Sequence, residues 1–390
     1  MSSSFNPPPT NSFQRSAFIA GGVLLVLLLV TLFINPAQFF RAYLIGWTFW
    51  TGIAVGSLAL LMLQHLTGGG WGLVIRRVLE ASTRTLPFMA VLFIPIILGS
   101  HSLYEWTHRE ELAQHPVVQF KAPYLNLPFF TIRAVVYFGV WIALAYFLNR
   151  WSLLQDRTAE ARYTKKMRLL SGPGMVALIF VVTFASVDWY MSLEPEWFST
   201  IYGFIFVASW SLSALAFVIA AMANLSKEAP LNRIVQPLHF QDLGKLLLAL
   251  VMLWAYFAFS QYLIIWSGNL PEEIAYYLGR IRGVWGVTII GIALLHFAAP
   301  FLFLLSRDLK RNPRSLMMVA LLVIVMRMID LLWMLVPAFH GHSWVWLDAI
   351  ALLGFGGLWL GLFAWQLTKR SLIPINDPQF ESVMATDAHR

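Results

Sequence analysis

Cysteine is absent from this chain. That excludes disulfides, cysteine-ligated iron–sulfur clusters, thiolate zinc sites and thioether-attached haem within it. Charge is scarce as well: Asp, Glu, Lys and Arg make up 12% of the residues, against roughly 25% in soluble domains. Phosphate-binding loops, Walker patterns and nucleophile motifs are missing. Between the apolar runs no loop is long enough for an extramembrane domain, and the longest, 105–128, has room for a short amphipathic piece. Soluble chemistry therefore falls to partner chains. What the sequence has in excess is apolar surface. Hydrophobic residues form 59% of its 390 positions, in repeated runs of the ~18 or more residues that a membrane helix needs. With that composition the net charge of +8 reads as basic residues gathered in cytoplasmic loops rather than as a nucleic-acid surface.

Ten spans are expected, at 17–34, 42–66, 86–104, 129–149, 173–193, 200–223, 243–267, 283–306, 314–338 and 346–368. The polar, proline-rich opening MSSSFNPPPTNSFQRS reads as an N-terminal cytoplasmic segment, 1–16, and 369–390 as a cytoplasmic tail. The apolar run after that opening lacks a small-residue cleavage site, so it reads as a span rather than a cleaved signal. One set of alternate loops holds Arg76, Arg77 and Arg84, then Arg150, Arg157, Arg162, Lys165, Lys166 and Arg168, then Lys227 and Arg233, then Arg307, Lys310, Arg311 and Arg314. The other set holds Arg41, Arg109, Lys121, Arg280 and Arg282, with acids such as Glu194, Glu196, Glu272 and Glu273. This bias predicts cytoplasmic termini. Trp189, Tyr190, Trp197, Tyr202, Trp344 and Trp346 crowd the span ends as an aromatic belt would.

Polar residues inside the runs are the candidate functional residues. A charge at a span's centre costs about 2.5–3.5 kcal/mol, yet VMRMIDLLW places Arg327 and Asp330 in the middle of the ninth run. At i, i+3 they share a helix face, so they read either as a structural ion pair pointing into the bundle or as a proton or quinone-headgroup site. Asp188 stands near the outer end of span five, as a hydrated interfacial acid or a functional one. His101 and Glu105, at the outer end of span three, are expected at a similar depth, where a histidine beside a carboxylate titrates near neutral pH. On the inner side, Asp242 and Lys245 open span seven and His296 lies in span eight; each alone reads as structural, and together they suggest an inner half-channel. Gln261 and Tyr262 are candidate hydrogen-bonding links. A bis-histidine haem would have to use His101, His296 or the marginal His65, which sit at different depths. The HGH at 340–342 has no metal-site spacing.

Two stretches carry a family resemblance: SVDWYMSLEPEWFSTIYGFIF at 186–206 and HFQDLGKLLLALVMLWAYFAFSQYLIIWSGNLPEE at 239–273. The chain resembles the second polysulfide-reductase-type, NrfD-like membrane subunit of bacterial alternative complex III, a quinol:cytochrome c or quinol:electron-acceptor oxidoreductase. The resemblance implies an all-α integral membrane fold with two four-helix bundles, spans 2–5 (about 42–193) and 6–9 (about 200–338), flanked by spans 1 and 10. Both bundles begin from the outside, which allows a parallel duplication, although no sequence repeat supports one. It implies a bacterial inner-membrane location and partners: a periplasmic iron–sulfur subunit, multihaem and monohaem cytochrome c subunits, a sister NrfD-like subunit and small membrane-anchored subunits. Menaquinol or ubiquinol, c-type haems and iron–sulfur clusters would belong to the complex, with no redox centre on this chain.

Three functions compete at this stage. The first is a scaffolding membrane subunit of a respiratory quinol oxidoreductase, with protons conducted through a central station at Arg327 and Asp330, reached from the cytoplasm through Asp242, Lys245 and His296, and an outer one at His101, Glu105 and Asp188. The second is a quinone-binding catalytic subunit with a lateral cavity near His101 and Asp188. The third is a secondary transporter, which predicts a midplane cavity with broken helices.

Overall fold

In the computed structural model, which describes residues 11–108, 116–339, 345–374, 376–378 and 380, ten helices are long and apolar enough to cross a membrane. We label them α1 Ser12–Ile34, α2 Pro36–Thr67, α3 Gly70–Leu98, α4 Leu127–Thr158, α5 Arg162–Leu193, α6 Tyr202–Leu225, α7 Pro237–Gly268, α8 Gly283–Leu305, α9 Pro313–Ala338 and α10 Val345–Leu367. The chain is an all-α, multi-pass membrane protein. Several starts are encoded locally. Asn35, Asn126 and Asn312 each cap a helix with the side-chain oxygen, and a proline follows in the first turn of α2, α4 and α9, where its missing N–H costs nothing.

Helices α2, α3, α4 and α5 pack in a closed ring, and α6, α7, α8 and α9 close a second one. The rings join where α6 lies against α2 and α5. A Cβ on Gly56 would fall 2.0 Å from the Trp210 carbonyl oxygen, so glycine is what lets α2 and α6 touch backbone to backbone. Helices α1 and α10 pair with each other and together flank α2. At their crossing a Cβ on Gly21 would meet the backbone of Gly357 and Leu358 at 2.7 and 2.4 Å. Ten crossings put the start of α1 and the end of α10 on one side, called here the terminal side.

The largest departure from the sequence reading is α3. The run 86–104 was the expected span; the helix instead begins at Gly70 and carries Arg76, Arg77 and Glu80 inside the protein, at 0, 2 and 1% exposure. Counting Arg76 and Arg77 as loop charges was therefore incorrect. They are buried because their counter-ions are buried with them. The bends at Arg84–Thr85 and Leu92–Phe93 precede Pro87 and Pro95, each of which removes a backbone donor. Helices α4, α5 and α7 run 32 residues each, or about 48 Å, so they project past a ~30 Å hydrocarbon core. The two long connections on the side opposite the termini also carry helix: Pro116–Lys121 within 105–128, as expected, and Pro271–Arg280 between α7 and α8, which was read as loop.

Candidate functional site

Four buried polar stations organise the interior. The first ties α4 to α5. Arg133 donates from Nε and Nη2 to the two oxygens of Asp188 at 2.7 and 3.0 Å, and the Tyr137 hydroxyl donates to the same carboxylate at 2.6 Å. The remaining guanidinium nitrogen, Nη1, donates to the Tyr124 carbonyl at 2.9 Å, and the Tyr124 ring lies 3.8 Å from the guanidinium carbon. Asp188 is 0% exposed, which is not the hydrated interfacial position that sequence allowed. The bidentate geometry and third donor leave the carboxylate fully engaged. Trp47, Phe93, Phe138 and Trp141 surround the adjacent Trp189 at 4.8–5.9 Å, so the station sits in a close-packed aromatic core. Beyond the end of α3, burial, and then Tyr190 and Asp188, raise the Tyr104 hydroxyl well above its ordinary pKa. It stays protonated and donates to the Trp189 carbonyl at 3.2 Å.

The second station clamps the bundles together. Arg280, at the end of the short helix before α8, donates to both oxygens of Glu194 at 3.2 and 2.7 Å and to the Met334 carbonyl of α9 at 2.9 Å. Its guanidinium carbon lies 3.5 Å from the Tyr276 ring centroid. Burial opposes the charge, but Tyr276 and Glu194 outweigh it and the pKa rises.

The third station lies toward the terminal side of the first bundle. Arg76 pairs with Glu80 at 3.1 Å and with Asp377 of the C-terminal stretch at 2.5 Å; Arg77 pairs with Glu80 and with Asp156 of α4; Arg370 reaches Glu80 at 3.3 Å. Three guanidinium groups thus face three carboxylates. Leu372 and Ile373 are buried beside them. Over these residues the stretch expected as a cytoplasmic tail packs into the fold.

The fourth station is the Arg327–Asp330 pair of α9, both buried and bonded to each other. A π-helical turn, Ile292–Ala298, carries His296 inward, where its ring meets Trp254 edge-on at 4.2 Å and neither ring nitrogen has a hydrogen-bond partner. Asp330 lines a cavity of about 660 Å³ bounded by α7, the helix Pro271–Arg280, α8 and α9. Gln261 and Tyr262 line it too, and Gln261 accepts from Ser199 at 2.8 Å.

The remaining sequence candidates sit apart. His101 is exposed and bonded to His108 at 2.7 Å, and the partners of Asp188 are Arg133 and Tyr137 rather than His101 or Glu105. Glu105 is exposed, in electrostatic range of Arg41. Asp242 and Lys245 form a surface pair at 2.8 Å, 39 and 55% exposed. Between them and Trp254 the α7 sequence is LLLALVML, so α7 itself supplies no polar side chain over that stretch. His115, the HGH at 340–342, His389, Arg109 and Trp344 lie outside the described residues. Among the described residues no group of three or more His, Cys, Asp or Glu could hold a metal ion.

Sequence reasoning missed Arg133, Tyr137, Glu80, Asp156, Asp377 and Trp254. Arg133 carried a usable signal: an arginine in an otherwise apolar run needs an acid at its own depth, and Asp188 is the acid of the next run. Glu80 carried another, since positions 76, 77, 80 and 84 fall on one helical face. No protein-family model matches the chain, and no curated protein matches it.

Proposed function

We propose that this chain is an NrfD-like membrane subunit of a respiratory quinol:cytochrome c, or quinol:electron-acceptor, oxidoreductase, seated in a bacterial inner membrane with cytoplasmic termini. It holds the complex in the membrane and carries no redox centre of its own. The observation that carries this reading is the closure of α2–α5 and α6–α9 into two four-helix rings with α1 and α10 alongside, the arrangement implied by the likeness of residues 186–206 and 239–273. Inter-bundle ties such as Arg280–Glu194 suit a scaffold, because they fix the rings as one body against which extramembrane partners can be held. Within that scaffold Asp330 is the acid placed for proton exchange. It faces a cavity, whereas Asp188 is closed in by three donors.

The test is a mild-detergent pull-down from the native membrane, with haem spectra and mass spectrometry. Recovery with multihaem c-type and iron–sulfur chains, and with quinol:acceptor activity, is the expected outcome. Recovery of the chain alone and inactive overturns the reading and favours a transporter. In the intact complex Asp330→Asn is expected to reduce proton release; unchanged turnover and proton release would leave Arg327–Asp330 a structural pair.

A further inference from the structure

Basic residues that set orientation need only lie on the right side of the membrane; three of those on the terminal side also converge. At that end of the second bundle a groove of about 680 Å³ is lined by Lys227, just past α6, by Arg311 of the short helix Arg307–Arg311 that links α8 to α9, and by Arg314 in the first turn of α9. Two of these cations are held by neutral amides. Arg311 donates from Nε to Gln241 at 2.7 Å, and Lys227 donates to Asn224 at 3.0 Å. One carboxylate, Asp308, lines the groove with them, so positive charge is in excess there. The Asn312 side chain already accepts from the N–H groups of Arg314 and Ser315. The groove therefore draws its positive character from side chains rather than from an open helix end.

Depth and surroundings identify the anion. Helices α6, α8 and α9 have 24, 23 and 26 residues, or about 35–39 Å. Their ends clear a ~30 Å hydrocarbon core by only a few ångström, so the groove between them lies at head-group level. From Arg314 an apolar stripe runs down α9 into the membrane. Met318, Leu321 and Val325 follow it at i+4, i+7 and i+11, on the same helix face, and stay 45–69% exposed. A soluble phosphate would satisfy the cations and leave the stripe unused. A zwitterionic choline head would bring a fixed positive charge among three others. We infer that this groove binds the phosphate of an anionic glycerophospholipid, with an acyl chain lying along the α9 stripe. Asp308 suits a head that carries a hydroxyl donor besides its phosphate, as a phosphoglycerol does. Basic pockets between membrane helices are where such heads are held, and the site requires no redox role for the chain.

The experiment is native mass spectrometry of the detergent-purified full chain, titrated with phosphatidylglycerol, with phosphatidylcholine of the same tails, and with glycerol phosphate as the head alone. Each Lys or Arg at such a surface is worth roughly fivefold in affinity for an anionic lipid. Phosphatidylglycerol is expected to bind about tenfold more tightly than phosphatidylcholine, and glycerol phosphate at equal concentration is expected not to displace it. Arg311→Gln with Arg314→Gln is expected to weaken phosphatidylglycerol about twentyfold and to leave phosphatidylcholine unchanged. Lys165→Gln with Lys166→Gln removes two exposed cations on the same side but outside the groove, and is expected to change neither. A melting curve shows whether each variant is folded; if the arginine pair is not, Lys227→Gln takes its place, with a loss of about fivefold. Equal binding of the two lipids by the parent chain, or an equal loss from the groove and control variants, overturns the site. Displacement by glycerol phosphate at equal concentration overturns the lipid and leaves a site for soluble phosphate.

Discussion

Asp188 and Asp330 stand at matching places in the two bundles and are treated in opposite ways. Each belongs to the fourth helix of its ring, and each lies seven residues before a proline, in VDWYMSLEP and IDLLWMLVP. Each motif runs into a 3-10 turn, at Met191–Leu193 and Val336–Ala338. In the first bundle the acid is bonded across a helix boundary by Arg133 and Tyr137 and sealed under aromatic rings. In the second its arginine is on its own helix, and Asp330 lines a cavity. The same residue thus serves as a fastening where its partner comes from a neighbour and as an addressable group where it does not. A buried ion pair need not stabilise a fold; what separates these two is whether the pair joins elements that would otherwise be free to separate.

Four variants test that distinction. The largest effect is expected from Asp188→Ala. It strands the Arg133 charge at a buried site, at a cost of about 3–5 kcal/mol, and shows as a large drop in melting temperature and in folded yield. Removing both members of each pair sharpens the contrast. Arg327→Met with Asp330→Leu deletes a pair internal to α9, and the melting temperature is expected to stay near the parent's, since apolar replacement of a buried pair is often neutral. Arg133→Met with Asp188→Leu also strips the Tyr137 hydroxyl and the Tyr124 carbonyl of their partners, each worth about 1–3 kcal/mol when buried. Equal melting temperatures for the two double variants would erase the difference drawn between the bundles. The smallest effect belongs to Asp242→Asn with Lys245→Gln, an exposed pair of the kind that contributes little; no measurable change is expected in a thermal melt.

The architecture was legible where a single signal dominated. Apolar run length marked out the ten spans, and α8, α9 and α10 fall within a residue of their expected limits. It failed at α3, where charge was taken as the mark of a loop. Hydropathy scores residues one at a time, and Arg76, Glu80 and Asp377 are tolerable inside only as a set drawn from distant parts of the chain. The same limit hid half of the candidate site. Asp330 and Gln261 stood out as polar residues in apolar runs, but Trp254 looked like any other aromatic. Its buried N–H, left without an acceptor among the described residues, is a property of what surrounds it. The matched Asp-to-Pro spacings were present in the sequence throughout and gained meaning only once α5 and α9 were seen to close equivalent rings.

The bond between Arg76 and Asp377 spans 301 positions, and that distance is also a delay. At ~5–20 residues per second of synthesis, Arg76 is made roughly 15–60 s before the acid that completes its shell. Glu80 arrives at once and Ser152 and Gln155 next, but the shell stays unfinished until Asp377 is made. The first bundle is thus begun early and its polar station closed late, and a chain cut short before residue 377 would leave Arg76 with Glu80 but without its second carboxylate.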